Sequence, residues 1–518
     1  MLTRGFTYVL LVTLSLLLAW STSPDSSENA KSELSLKKSQ PNNFSIASAH
    51  PLAATREMYL DVHGEVTNQS VKGPLAAGIP GTPAAIAHIA NNYGQLPLQT
   101  SLNAAINLAR SGFLVSEFYN SRASAVVEHL KSFPQTAELF LQGGEVPQTG
   151  YVLKQPDLGN VLEKISEYGA DGFYRGKIAV QLVSSVQKAG GIWQLRDLHN
   201  YQIVERQPVI GKYKNIEIIS AALPSSGGIV LMQILNMLAQ YDLQSMSEDH
   251  RKHVIVEAMR RAYHDRALYL GDIDFIDVPV EELLSAEHAE KRFADFSMQH
   301  ATPSQQYIQQ EVVNSQPLIE EAQNTTHFSV LDREGNYVAA TLSINYYFGS
   351  GFVVEGTGVL LNNEMDDFAI QPGRANLWGL VGSEANAIEP GKRMLSSMSP
   401  TFLNDGQRIA ILGTPGGSRI ISMVLLSTLA FGDGAKVMEL VQLPRFHHQF
   451  LPDQIQFESD ALTVNTQHTL KSMGHELKDL ERSYGNMHAI IWNQQTNNIT
   501  AASDPRGIGK AQVGVSQR

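Results

Sequence analysis

The chain has no cysteine, so disulfide staples and thiolate catalysis play no part, and the redox compartment is left open. It has no excess of base: 39 Lys and Arg stand against 51 Asp and Glu, a formal net charge of −12. With no run of like charge, that balance argues against a nucleic-acid partner and against a charged interaction tail. Long apolar runs are scarce. Phe6 to Trp20 is free of charge for fifteen residues, follows Arg4 and leads into Ser21-Thr22-Ser23-Pro24. This is short for a bilayer span and has the shape of a secretory signal over residues 1–23. The expectation is a secreted or periplasmic protein, with an uncleaved membrane anchor as the alternative. Nucleotide-loop chemistry is missing too, because no Gly-Lys-Ser/Thr follows Gly416-Gly417. No Gly-x-Ser-x-Gly surrounds Ser225-Ser226, which removes the nucleophile-elbow reading. His447 and His448 are neighbours and would point to opposite faces of a strand, so neither a metal site nor a cofactor is expected.

What is present suits an enzyme of ordinary globular build. At 518 residues and 43% hydrophobic content the chain can bury a large core in more than one domain. Residues 24–46 read as a polar linker without hydrophobic period. From 47 to 324 the pattern is mainly helical. Asp157 is placed as an N-cap before an apolar stripe of Leu158, Val161, Leu162 and Ile165. Gly190-Gly191 should close the next helix. Ile229 to Leu238 is apolar all round, hence buried, and Ser245-Met246-Ser247-Glu248 reads as a capping box for a long helix ending near Gly271. From 325 to 518 short β runs separated by glycine turns take over.

That change of character falls at Asn324–Thr325. Thr326, Phe328 and Val330 alternate with Thr325, His327, Ser329 and Leu331, and Asp332-Arg333-Glu334-Gly335 supplies turn chemistry. If Leu331 pairs with Tyr337, Thr325 lies opposite Ser343. Two facing hydroxyls fit an ordinary polar hairpin carrying threonine by β-propensity. They also fit a threonine freed by chain cleavage, whose own α-amine, titrating near pH 7.7–8, would be the base a weak hydroxyl nucleophile needs.

A set of blocks resembles one known family. Thr325 to Gly349 is similar to the opening of the small subunit of γ-glutamyltransferases, which are N-terminal-nucleophile hydrolases. The likeness continues through Leu360-Leu361-Asn362-Asn363-Glu364-Met365-Asp366-Asp367-Phe368 and Lys392-Arg393-Met394-Leu395-Ser396-Ser397-Met398-Ser399-Pro400. It then takes in Gly413-Thr414-Pro415-Gly416-Gly417-Ser418-Arg419, Pro444-Arg445-Phe446-His447-His448-Gln449 and Ser503-Asp504-Pro505-Arg506. Upstream, Gly78-Ile79-Pro80-Gly81-Thr82-Pro83 and Pro224-Ser225-Ser226-Gly227-Gly228 resemble the large subunit.

The resemblance implies an α+β fold, a four-layer αββα sandwich, with the opening part of the large subunit absent. It implies self-cleavage at Asn324–Thr325 into two fragments that stay associated as a heterodimer. Thr325 would attack a γ-glutamyl amide of a glutathione-like substrate. Ser343 would assist it, and the Gly416 and Gly417 backbones would hold the oxyanion. Asn345, Glu364 and Asp367 would bind the donor's ammonium, and Ser396 and Ser397 its α-carboxylate. Residues 372–382 match a lid loop, with Trp378 at its shielding aromatic. Water or an acceptor amino acid would complete the reaction. Two positions depart from the family pattern: Ser343 stands where threonine is usual, and Ala47 where an arginine binds the α-carboxylate. An acylase of the same fold with changed donor preference, or a non-catalytic remnant, are the alternatives.

Overall fold

The computed structural model describes residues 43–45, 51–308 and 325–514. The signal-like residues 1–23, most of the 24–46 linker, Ala47 and Asn324 lie outside the described residues. Asn43–Ser45, inside the segment read as linker, forms a short strand paired antiparallel with Val204–Arg206.

The centre is a six-stranded antiparallel sheet. Its order is Asn498–Ser503, His488–Asn493, Arg408–Gly413, Thr401–Asn404, Ile216–Ser220 and Val209–Tyr213. Two of the strands precede residue 325 and four follow it, and Ile218 pairs with Leu403 across that divide. Alternation sorts the side chains onto two faces. Ile216, Ile218, Leu403, Ala410, Leu412, Ala489 and Ile491 join the main core, beneath the helices Gly227–Leu238, Glu248–Tyr269 and Ile420–Gly432. The Gly227–Leu238 helix is buried on every side, as its apolar composition requires. Each of its large aliphatic side chains contributes about 1.5–3 kcal/mol by leaving water.

The opposite face carries the hairpin of Thr326–Leu331 and Tyr337–Leu342. Its register pairs Leu331 with Tyr337 and Thr326 with Leu342. The Tyr337 ring meets Phe402 edge-on at 4.9 Å, and Ser329 Oγ donates to the Ile411 carbonyl at 3.1 Å. Gly413 is required here, because a Cβ would lie 2.4 Å from the His327 ring. The layers are therefore helices, sheet and hairpin. Tyr337 and Val338 on the hairpin's outer strand are exposed.

Two expected helix starts shift. The helix at 156–168 begins with Pro156, so Asp157 sits in the first turn and Gln155 takes the cap. Proline wins that position because its missing N–H costs nothing there. The long helix opens at Glu248 with Ser247 as N-cap, but the serine hydroxyl meets His250 Nδ1 at 2.9 Å instead of a backbone N–H. Gly190, at φ +91°, follows the Gly176–Lys188 helix as the pattern indicated.

Candidate active site

Thr325 immediately precedes the hairpin's first strand, and Ser343 immediately follows its second. Thr325 Oγ1 donates to Ser343 Oγ at 3.1 Å, and the Asn345 N–H donates to the same oxygen at 2.9 Å. With both lone pairs engaged, the serine keeps its own proton to give. Asn345 is buried and holds φ +69°, a left-handed conformation that asparagine tolerates better than most residues. Its Nδ2 donates to the Asn363 carbonyl at 3.1 Å, and Asn363 Oδ1 accepts the Tyr346 N–H at 2.9 Å. The hairpin's end is thus tied to the turn that starts at Glu364.

Glu364–Asp367 is a single 3-10 turn that places Glu364 and Asp367 within one electrostatic field. Burial raises the Glu364 carboxyl to about 7. Burial also raises Asp367 well above the carboxylate range, helped by the charges of Glu364 and Asp366 and opposed by Arg266. Asp366 is buried, and accepts Ser70 Oγ at 3.0 Å and the Leu377 N–H at 2.9 Å. It anchors the loop that carries Trp378. Trp378 Nε1 donates to Asn345 Oδ1 at 2.8 Å, and its ring lies on Gly417, where a Cβ would come within 2.3 Å.

Gly416 and Gly417 have φ of +150° and +56°. Among the described residues neither N–H has an acceptor, so the pair can offer donors to an anion. Ser396 is held by its backbone, donating to the Pro224 carbonyl and accepting from Ser226 N–H, both at 2.8 Å. Ser397 Oγ accepts from Arg266 Nη2 at 3.3 Å, and Arg266 Nε donates to Ser226 Oγ at 2.9 Å.

Every site residue expected from the sequence therefore belongs to one of two adjoining sets. Thr325, Ser343 and Asn345 connect through Trp378 to Gly417 and Gly416; Glu364 and Asp367 connect through Arg266 to Ser397 and Ser396. Arg266 was missed by sequence reasoning. It lies on a helix with charge on every face and no apolar stripe, which gives no sign that residues 253–266 are buried.

His253, Glu257 and His475 bring ligand-type atoms within 4.8 Å of one another. The carboxylate is already held by Arg261 Nη1 at 2.6 Å and Arg260 Nε at 3.2 Å, and the two rings bond each other at 2.7 Å. Two guanidinium groups beside a cation position disfavour a metal there. His447 and His448 are likewise absorbed locally: His447 meets Ser422 and Gln449, and His448 meets Asp453.

Comparison with known proteins matches residues 35–514 to the family model described as Gamma-glutamyltranspeptidase. The glutathione hydrolase proenzyme of Pseudomonas sp. (strain A14) is 41% identical over 432 residues, which are 82% of this chain and 74% of that protein. The glutathione hydrolase proenzyme of Escherichia coli (strain K12) is 38% identical over 470 residues, 90% of this chain and 80% of that one. The crystal structure of cephalosporin acylase from Bacillus halodurans aligns with a TM-score of 0.76 over 90% of this chain and 84% of that chain, at 24% identity, a likeness of fold. A family match across nearly the whole described chain, together with relatives this similar, means that the chain belongs to the gamma-glutamyltranspeptidase family.

Proposed function

We propose that this protein hydrolyses γ-glutamyl amides such as glutathione, or transfers the γ-glutamyl group to an amino acid or peptide, with Thr325 as nucleophile. The observation that carries the reading is the Thr325 Oγ1 to Ser343 Oγ hydrogen bond of 3.1 Å at the mouth of the hairpin. Cleavage at Asn324–Thr325 frees the threonine α-amine to take the proton from its own hydroxyl. The hydroxyl oxygen attacks the γ-carbonyl, and the Gly416 and Gly417 N–H groups donate to the oxyanion. The leaving amine departs with a proton, and water or an acceptor amine then breaks the acyl-threonine ester. Glu364, Asp367 and Asn345 receive the donor's ammonium. Ser396 and Ser397 receive its α-carboxylate, and Arg266, which donates to Ser397 Oγ, supplies positive charge behind them. No cofactor enters. The fragments stay together because Ile216–Ser220 and Thr401–Asn404 share the central sheet.

The signal-like residues 1–23 support action outside the cytoplasm. Among the described residues no helix is long and apolar enough to cross a membrane.

A denaturing gel of the purified protein, with N-terminal sequencing, tests the reading. Two bands are expected, the smaller beginning Thr-Thr-His-Phe, and turnover of a γ-glutamyl anilide should exceed that of the glutaryl anilide, which keeps the carboxylate but lacks the α-amine. A chain that stays in one piece and is inert to both defeats it.

Ammonium binding also sets a pH dependence. The acid pair must carry at least one negative charge, and burial lifts Glu364 to about 7. The kcat/KM for the anilide should therefore decline as pH falls through about 7. Glu364→Gln removes the group that titrates near 7 and leaves Asp367, which burial still holds well above the ordinary carboxylate value, so the limb should move away from about 7. A limb that stays in place in Glu364→Gln would assign the titration to another group.

A further inference from the structure

Resting on that reading of Thr325, we propose that Arg122 is a specificity-determining residue for the other half of the reaction. It would bind the free carboxylate of the small amino acid or dipeptide on the amine side of the γ-amide, as leaving group or as acceptor. A cavity of about 640 Å³ reaches Thr325 and is lined also by Phe118, Arg122, Pro415, Asn486 and Arg506. That volume suits a small ligand. Glu364, Asp367, Ser396 and Ser397 do not line it, so this space adjoins the nucleophile away from the groups assigned to the glutamyl end.

Among the described residues two cations, Arg122 and Arg506, line the cavity, and of these only Arg122 lacks a carboxylate partner. Arg506 is neutralised by Glu458 at 2.7 Å and Asp504 at 3.2 Å. Arg122 has no carboxylate partner among the described residues, and its buried Nε has no hydrogen-bond acceptor there. Its guanidinium carbon lies 4.7 Å from the Phe118 ring centre and 5.1 Å from that of Tyr347. Phe118 is one turn earlier on the same helix, Glu117–Ala125, and Tyr347 is buried just past the nucleophile hairpin. Two aromatic faces steady the cation without cancelling its charge. A rigid planar fork of donors held in this way is suited to a carboxylate. An anilide leaving group has no such carboxylate, and an amidated dipeptide has lost it.

The test uses the self-processed full chain as wild type, Arg122→Gln and Arg122→Lys. Three donors are compared: a γ-glutamyl anilide, a γ-glutamyl dipeptide with a free C-terminus, and the same dipeptide amidated. In Arg122→Gln, kcat/KM for the free-carboxylate donor should fall about tenfold or more, with the anilide and the amide held within about twofold. Arg122→Lys should fall between. Unchanged turnover of the free-carboxylate donor overturns the proposal. So does an equal loss on all three donors, which would place the guanidinium on the glutamyl side or in the fold. Wild-type turnover of the anilide reports separately on the underlying reading; a wild type inert to every γ-glutamyl donor removes that reading and this proposal together.

Discussion

Thr325→Ala is expected to leave the chain as a single band on a denaturing gel and to lower γ-glutamyl anilide turnover by about 10⁴-fold or more. The size follows from a double loss. The hydroxyl that would attack the substrate is the same one that must attack the preceding carbonyl to release the amine, so one deletion removes nucleophile and base together. Thr325→Ser separates the two effects, because it keeps the oxygen and loses only the methyl that stiffens χ1. Partial processing and reduced turnover are expected, with the donation to Ser343 Oγ retained. Processing of Thr325→Ala at an unchanged rate would show that another group cuts the chain, and the proposed nucleophile would have to be abandoned.

Glu257→Gln is expected to lower stability by about 3 kcal/mol, read as a fall in the denaturant midpoint. Glu257 is fully buried in the Glu248–Tyr269 helix. It accepts from Arg260 Nε at 3.2 Å, Arg261 Nη1 at 2.6 Å and the Thr302 N–H at 3.2 Å. Burial by itself would raise its carboxyl, but the charges of Arg260 and Arg261 outweigh it and hold the group at about 2. Because the folded value is depressed, the stabilisation is fully present above the ordinary 4.5 and is lost as pH falls toward about 2. Glutamine removes the charge and leaves two buried guanidinium groups under-compensated. The loss stays at the lower end for such a cluster because Arg260 keeps Asp453 and Arg261 keeps Asp295. A midpoint within experimental error of wild type would show that those outer acids suffice.

The same helix carries two contacts that reach the site. Tyr263 donates its hydroxyl to the Ser418 carbonyl, next to Gly417, and Arg266 donates to Ser397. Loss of the Glu257 network therefore bears on both the glycine pair and the serine pair, and Glu257→Gln should lose turnover at temperatures where it is still mostly folded.

The nucleophile hairpin was legible from the chain alone. Alternation over Thr325 to Leu331 and the turn at Asp332 to Gly335 determine which side chains share a face, and the pairing of Leu331 with Tyr337 puts Thr325 beside Ser343. Such relations are local, spanning fewer than about twenty residues, and period-2 geometry with turn chemistry carries them. The burial of the Gly227–Leu238 helix was legible for a similar reason, since a segment apolar on every face has nowhere else to go.

The surroundings of that hairpin were decided by tertiary structure. Nothing in the Glu248–Tyr269 pattern marks Arg266 as the cation beside Asp367 and Ser397, because burial of its charges depends on partners as distant as Asp453 and Ser397. The seat of Trp378 on Gly417 depends on Asp366 holding Leu377. Arg122 reaches the space around Thr325 only because the Glu117–Ala125 helix packs against Tyr347, more than two hundred residues away in the chain. Local propensity determines which residues can form a nucleophilic edge; long-range packing and burial of charge decide which others surround it, and no short-range pattern encodes that choice.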